Sequence, residues 1–100
     1  MSLNPPNEID DAALLVYSPI DERHTPTEDA KHYAAGQLTP TPAVVAICRY
    51  QDADAFYFFG CDSEWNVIHD SCHLSLDEAK AQAEKEYNGV SSTWKMMNAE

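Results

Sequence analysis

The sequence predicts an α+β domain, in which an antiparallel β-sheet of three to five strands carries one C-terminal α-helix on one face. Three short apolar segments between residues 43 and 70 are separated by polar turns, and such short links are typical of a meander. Beyond them, apolar residues recur at helical spacing over residues 76–88. A chain of 100 residues forms one core, so we expect a single domain over residues 12–100 and a flexible tail over residues 1–11.

The first predicted strand is the apolar segment AALLVYS at residues 12–18, which ends before Pro19 and is interpreted as an edge strand. Residues 19–42 contain many turn and breaker residues, and within them we predict only a brief strand at residues 31–35. The meander that follows is rich in β-branched and aromatic residues. Its predicted strands are residues 43–50, 55–61 and 65–70.

The helix is predicted from signals that agree at both of its ends. Ser75 is placed to be the N-cap, and Glu78 three residues later completes a capping box. Gly89 suits the left-handed position that follows a helix. The tail at residues 90–97 is expected to return as a short strand or to lie over the core through Trp94. The apolar stripe of the helix consists of Leu76, Ala79, Ala83 and Tyr87.

The expected hairpin register makes both faces of the meander apolar. With tight turns, one face aligns Arg49, Tyr57 and His69 in a cross-strand row. The helix covers only one face, so the N-terminal segment, the tail or a second chain must cover the other, and a homodimer is one expected solution. The residues predicted for such an interface are Phe56, Phe58, Phe59 and Trp65.

Two groups of polar residues are candidates for a ligand-binding pocket. The first lies in the irregular region, where loops often carry function. It consists of Arg23, His24, Thr27 and His32. The alternative there is a surface loop whose polar side chains form local turn bonds.

The second candidate group is the cross-strand row of Arg49, Tyr57 and His69, which suits an anion or a carboxylate. The alternative is that Arg49 lies over Tyr57 as a cation–π pair at the margin of the sheet, with its charged head in water.

The stretch HDSCH at residues 69–73 places two histidines, a thiol and a carboxylate side by side. Neighbouring side chains such as Cys72 and His73 diverge, and the spacing from Cys61 fits no zinc finger. A thiol nucleophile also needs a histidine that the fold brings to it. We interpret the stretch as the corner between a strand ending at His69 and the helix, and we predict no metal site, no cofactor and no catalytic residue.

The charge balance excludes two classes of partner. The chain has 17 acidic and 6 basic residues and a net charge of −11, so nucleic acids and anionic membrane surfaces repel it. A basic protein is the partner that the charge favours. We expect neither a membrane span nor a secretion leader. Three cysteines without a CxxC pair indicate free thiols in a reducing cytoplasm.

The C-terminal half resembles a group of small uncharacterised bacterial proteins. The shared pattern begins with an aromatic strand and CDxxWxV at residues 61–67, and D[ST]xH follows at residues 70–73. It continues with SxxxAxxxAExEYxGV at residues 75–90 and ends with Trp94; YSPIDERHTPT at residues 17–27 is also similar. The resemblance implies a bacterial, cytoplasmic protein, and it transfers no activity and no catalytic residue.

Three functions are compatible with these features. The leading hypothesis is a non-enzymatic, acidic protein-binding module, of which one form is an inhibitor or immunity protein that neutralises a basic toxin or nuclease. The second is a small enzyme or ligand sensor that uses the polar pocket residues. The third is a homo-oligomeric structural protein that uses the second apolar face as its interface.

Overall fold

The computed structural model describes residues 4–31, 33–34, 36–51 and 53–97. As predicted, the fold is α+β, with a curled antiparallel sheet and one helix packed against it. The strands are β1 (Glu8–Ile9), β2 (Ala12–Pro19), β3 (Thr25–Pro26), β4 (Tyr33–Ala34), β5 (Gln37–Leu38), β6 (Val44–Arg49), β7 (Phe56–Cys61), β8 (Val67–His73), β9 (Tyr87–Asn88) and β10 (Lys95–Met96). The helix α1 spans Leu76–Glu86, and short 3₁₀ helices cover Glu28–Ala30 and Val90–Ser92.

The main sheet has the strand order β1-β2-β6-β7-β8, and β10 pairs with β2. The edge position predicted for residues 12–18 is wrong, because β2 has β6 along one side and β1 and β10 along the other. β1 and β10 are only two residues long, too short to show an alternating pattern in the sequence. The tail thus returns as a short strand, which was one of its two predicted outcomes. Ile9, which falls within the tail predicted for residues 1–11, lies in β1 and is buried in the core.

The register of the first hairpin differs from the expected one. Arg49 pairs with Phe56 rather than with Tyr57. A shift of one residue exchanges the two faces of a strand, so Tyr57 points away from the face that carries Arg49. The expectation assumed a tight turn, whereas β6 ends at Arg49 and β7 begins only at Phe56.

β8 begins later and runs further than predicted. It spans Val67–His73 rather than residues 65–70, because the preceding loop continues to Asn66. The carboxylate of Asp62 accepts a hydrogen bond from the backbone N–H of Asn66 (2.9 Å), and Trp65 turns the chain with a φ of 68°. The stretch HDSCH therefore lies within a strand and not at a corner, so its side chains alternate between the two faces.

Both faces of the sheet are apolar and buried, as predicted. The helix-side core consists of Val16, Val45, Ile47, Phe58, Ala79, Ala83, Tyr87 and Val90. The second core consists of Ile9, Ala12, Leu14, Val44, Ala46, Cys48, Phe59 and Cys61. Partly buried residues pack around the second core, namely Tyr17, Tyr50, Tyr57, Trp65, Val67 and Met97. Ile9 of β1 and Met97 of the tail thus help to cover the face of the sheet opposite the helix. A second chain was one of the predicted ways to cover that face.

The four residues predicted for an interface do not form one exposed patch. Phe58 is fully buried in the helix-side core, and Phe59 is 3% exposed in the second core, because successive residues of a strand point to opposite faces. Phe56 and Trp65 are partly buried and pack at the margins of the two cores. An interface that includes all four is therefore not available on the folded chain.

The N-cap predicted at Ser75 is confirmed, but the C-terminal cap predicted at Gly89 is not formed. The hydroxyl of Ser75 accepts a hydrogen bond from the backbone N–H of Glu78 (3.0 Å), and the Glu78 carboxylate accepts one from the backbone N–H of Leu74, the residue before the cap (3.2 Å). Gly89 has the predicted left-handed conformation, with a φ of 105°, but the residue that caps the end of the helix is Tyr87, whose backbone is extended. The helix ends at Glu86 rather than at residue 88, because the next two residues form β9, which pairs with β3.

Candidate functional site

Asp21 organises the loop in which a polar pocket was predicted. Its carboxylate accepts hydrogen bonds from Nε (3.0 Å) and Nη2 (2.9 Å) of the Arg23 guanidinium and from the backbone N–H of Arg23 (2.9 Å). These bonds from Arg23 lower the pKa of Asp21 from its ordinary value of 3.8 to about 2. The exposed side chain of Arg23 is therefore paired within its own loop.

His24 is buried and holds the same loop to the C-terminal segment. Its Nδ1 accepts a hydrogen bond from the backbone N–H of Asp21 (3.0 Å), and its Nε2 lies 2.8 Å from the hydroxyl of Thr93. That hydroxyl lies 2.7 Å from the hydroxyl of Ser18, a buried residue of β2. Both ring nitrogens of His24 are thus hydrogen-bonded within the chain, so His24 anchors the loop in a buried hydrogen-bond network.

Thr27 fastens the loop to the C-terminal end of α1. Its hydroxyl donates a hydrogen bond to the carbonyl of Lys85 (2.6 Å), and its backbone N–H donates one to the carbonyl of Glu86 (2.9 Å). These bonds satisfy carbonyls that lack a partner at the end of a helix. The three described loop candidates therefore make separate contacts and do not converge on one cavity. The fourth candidate, His32, lies outside the described residues.

The predicted row of Arg49, Tyr57 and His69 is not formed. The guanidinium carbon of Arg49 lies 5.6 Å from the ring centroid of Phe56. A cation–π pair at the sheet margin is therefore present, but with Phe56 in place of Tyr57, because the register is shifted by one residue. His69 pairs with Gly60, at the other end of β7 from Phe56.

The cysteines and histidines of β7 and β8 do not form a metal or thiol centre. The described residues contain no group of three or more His, Cys, Asp and Glu side chains that suits a metal ion. Cys72 is exposed beside Tyr57, and the hydrogen bond between them raises the pKa of Tyr57. Burial raises the pKa of Cys48 and of Cys61 to about 12, so these two thiols stay protonated and unreactive at neutral pH.

Glu86 carries a buried carboxylate that was not among the predicted site residues. The residue is 2% exposed, and its Oε2 accepts a hydrogen bond from Nε2 of Gln82 (2.6 Å). Burial raises the pKa of the adjacent Tyr87, and the negative charge of Glu86 adds to this increase. The Tyr87 hydroxyl lies 3.2 Å from Nε2 of His69. A signal was available: position 86 lies three residues after Ala83 on the buried face of the helix, where a glutamate is unusual.

Tyr87 also lines a depression of about 250 Å³ next to the 3₁₀ helix Glu28–Ala30. The apolar part of its wall comprises Pro26, Ala30, Leu38 and Pro40. At its rim, Nζ of Lys31 forms an ion pair with the carboxylate of Glu28 (3.2 Å). The depression is smaller than most sites for organic ligands.

A group of exposed acidic residues lies at one end of the sheet. We call this group the acidic end, and it consists of Glu8, Asp10, Asp11 and Asp54. Ala13 pairs with Arg49, and Arg49 pairs with Phe56, so the β1–β2 turn and the β6–β7 connection emerge at the same end. Within the described part of the chain, these four side chains make no hydrogen bond and no ion pair. They are therefore available to a partner.

A depression of about 500 Å³ opens at the acidic end. Its lining consists of Glu8, Asp11, Ala13, Leu15, Arg49, Tyr50 and Gln51. The carboxylates of Glu8 and Asp11 are thus combined with apolar surface from Leu15 and Tyr50. Arg49 is held in its place, because its Nε donates a hydrogen bond to the carbonyl of Ala53 (3.0 Å). This combination suits the aliphatic stem and cationic head of a lysine or arginine side chain.

β8 is the long free edge of the sheet. Among the described strands it pairs with β7 alone, whereas β2 is flanked on its outer side by β1 and β10. Asp70 is the central residue of β8 and is exposed. Leu74, which directly follows the strand, is 77% exposed.

Comparison with known protein families, with curated proteins and with solved structures finds no match to the chain. Within the residues that the structure describes, no helix has the length and apolar character needed to cross a membrane. Function is therefore inferred from the charges and contacts of the chain itself.

Proposed function

We propose that the chain is a non-enzymatic, acidic protein-binding module that docks a basic protein at the acidic end. The observation that carries the proposal is the set of exposed carboxylates at that end, which have no cationic partner within the described part of the chain. Charge complementarity of this kind selects partners and speeds their encounter. The depression beside these carboxylates adds apolar surface, which a stable protein interface also needs.

The turn between β1 and β2 places two of these carboxylates at its tip. Asp10 and Asp11 both have a positive φ, of 50° and 71°, which aspartate tolerates better than most residues because its short polar side chain can form local hydrogen bonds. Both side chains are exposed at this turn.

An inhibitor or immunity protein of a bacterial cytoplasm is the form of the proposal that this chemistry favours. The net charge of −11 attracts a basic toxin or nuclease over long distances. The three cysteines are free thiols, which is compatible with a reducing compartment.

The alternative functions have less support. For an enzyme or ligand sensor, the predicted polar residues are already engaged in the fold: Arg23 pairs with Asp21, and His24 binds the backbone and Thr93. A homo-oligomer was expected to cover a second apolar face of the sheet, but residues of the chain itself bury the core on each face.

Affinity capture from a bacterial lysate tests the proposal when it is combined with charge-matched variants. The immobilised chain is expected to retain a basic protein at low salt and to release it as ionic strength rises. The variant E8Q/D10N/D11N removes three charges at the acidic end and is expected to weaken binding of that purified protein by about tenfold or more. The control E22Q/D29N/E64Q removes three exposed charges elsewhere and is expected to weaken it by less than about threefold.

Two results contradict the proposal. One is that only neutral or acidic proteins are retained. The other is that both triple variants weaken binding equally, since net charge alone then explains the attraction. Thermal unfolding of each variant establishes that the loss of binding is not a loss of folded protein.

A further inference from the structure

We propose that β8 is the edge at which an extended, basic segment of the partner adds to the sheet as a further strand. This inference rests on the proposed function, because it names the part of the basic partner that is bound. The surface comprises the outward-facing backbone groups of β8 and the side chain of Asp70.

β8 has backbone hydrogen-bonding groups to offer. Successive residues of an antiparallel strand direct their N–H and C=O groups to alternate sides, so a strand with one neighbour leaves half of these groups without a strand partner. β8 is seven residues long, and its neighbour is β7. Within the described part of the chain, no backbone hydrogen bond outside that ladder reaches residues 70–73. Extended peptides bind such edges through main-chain hydrogen bonds.

Asp70 determines which kind of segment fits the edge. It is exposed at the centre of β8, where it pairs with Phe59 on β7. A cationic side chain opposite Asp70 on an added strand forms a cross-strand pair of opposite charges, which stabilises a sheet. The edge therefore favours a strand that carries lysine or arginine at this position.

The same residue disfavours a second copy of this chain as the occupant. A two-fold antiparallel pairing over the whole of β8 places Asp70 opposite Asp70 of the copy, and like charges in that position destabilise the pair. The net charge of −11 on each chain adds to the repulsion. Charged side chains on free edges are a common means of preventing self-association.

β8 also ends at the acidic end. The cross-strand row that starts with Ala13, Arg49 and Phe56 is completed by His73, the last residue of β8. A basic protein that docks at the acidic end is therefore placed to extend a segment along β8.

Two synthetic peptides separate strand addition from attraction between charges. The first is a heptapeptide of alternating lysine and valine. The second has the same sequence with N-methyl groups on the backbone nitrogens of three consecutive central residues. These groups keep the charge of the peptide but remove backbone N–H donors from both of its edges, so that neither edge can pair with a strand. Calorimetric titration of the wild-type chain is expected to give binding about tenfold tighter for the first peptide. Amide hydrogen exchange is expected to slow within residues 67–73 when the first peptide is bound.

Substitution of Asp70 tests the charge selection. D70K is expected to weaken binding of the unmethylated peptide by about tenfold, and D70N by about threefold. D29N makes the same change in charge at another exposed aspartate, in the 3₁₀ helix Glu28–Ala30, and is expected to leave binding within about twofold. Both aspartates are exposed, and circular dichroism checks that the variants fold.

Equal binding of the two peptides overturns strand addition, and so do equal effects of D70N and D29N. Failure of the chain to bind either peptide also overturns it. The proposed function fails separately, since it is refuted only by the lysate experiment and its charge-matched variants.

Discussion

The imidazole ring of His69 lies against Gly60, its cross-strand partner, so closely that a Cβ atom at position 60 would overlap Nε2 of His69. Glycine leaves the space that the ring occupies. In this position the ring reaches the hydroxyl of Tyr87 at 3.2 Å. The contact thereby links β7 and β8 to the residue that follows the helix.

We expect the substitution G60A to destabilise the fold by about 1–3 kcal/mol, because the added methyl group forces the His69 ring or the strands apart. Urea denaturation measures the free energy of unfolding. In the background of H69A, the same substitution is expected to cost less, because the obstructing ring is gone. An equal cost of G60A in both backgrounds contradicts the contact.

We expect the contact between Asp21 and Arg23 to make stability depend on pH in the acid range. The pKa of Asp21 is about 2 in the folded chain and 3.8 ordinarily, so its contribution is fully present above pH 3.8 and is lost as the pH falls toward 2. Thermal unfolding of wild type and D21N is expected to show a small difference in Tm near neutral pH, because the pair is exposed. That difference disappears near pH 2. A difference that stays constant with pH contradicts the assignment.

Removal of the Thr93 hydroxyl is expected to destabilise the loop that His24 anchors. T93V leaves the buried ring of His24 without its partner at Nε2, and an unsatisfied buried polar group costs about 1–3 kcal/mol. T93S keeps the hydroxyl and is the matched control, with an expected cost below about 1 kcal/mol. Chemical denaturation compares the two variants, and equal costs would show that the hydrogen bond is unimportant.

The thiols are expected to differ in reactivity. Cys72 is exposed, whereas burial protects Cys48 and Cys61 and raises their pKa to about 12. A thiol-specific chromogenic reagent is therefore expected to modify Cys72 rapidly in the native chain and the other two only after unfolding in guanidinium. C72S is expected to abolish the rapid phase. A rapid phase that survives in C72S contradicts the burial of the other thiols.

The acidic end shows why a sequence predicts the net charge of a protein more readily than the position of a binding site. The acidic composition is visible in the sequence, but Glu8 and Asp54 come to the same end of the sheet only through strand pairing between distant segments. His24 has the character of a pocket residue in the sequence. Its role as an anchor depends on Thr93, which is 69 positions away, and no local pattern reveals such a partner.

The sequence by itself determined the meander, the helix with its N-terminal cap, the apolar character of both sheet faces and the net charge. Each of these follows from composition or from residues a few positions apart, such as Ser75 and Glu78. Only the tertiary structure decided the strand register, the cover of the second face and which polar groups are engaged. Register depends on loop conformation, and a shift of one residue placed Tyr57 on the face opposite to Arg49. The two-residue strands β1 and β10 exist because β2 offers them a partner, which is a property of the assembled sheet and not of their own residues.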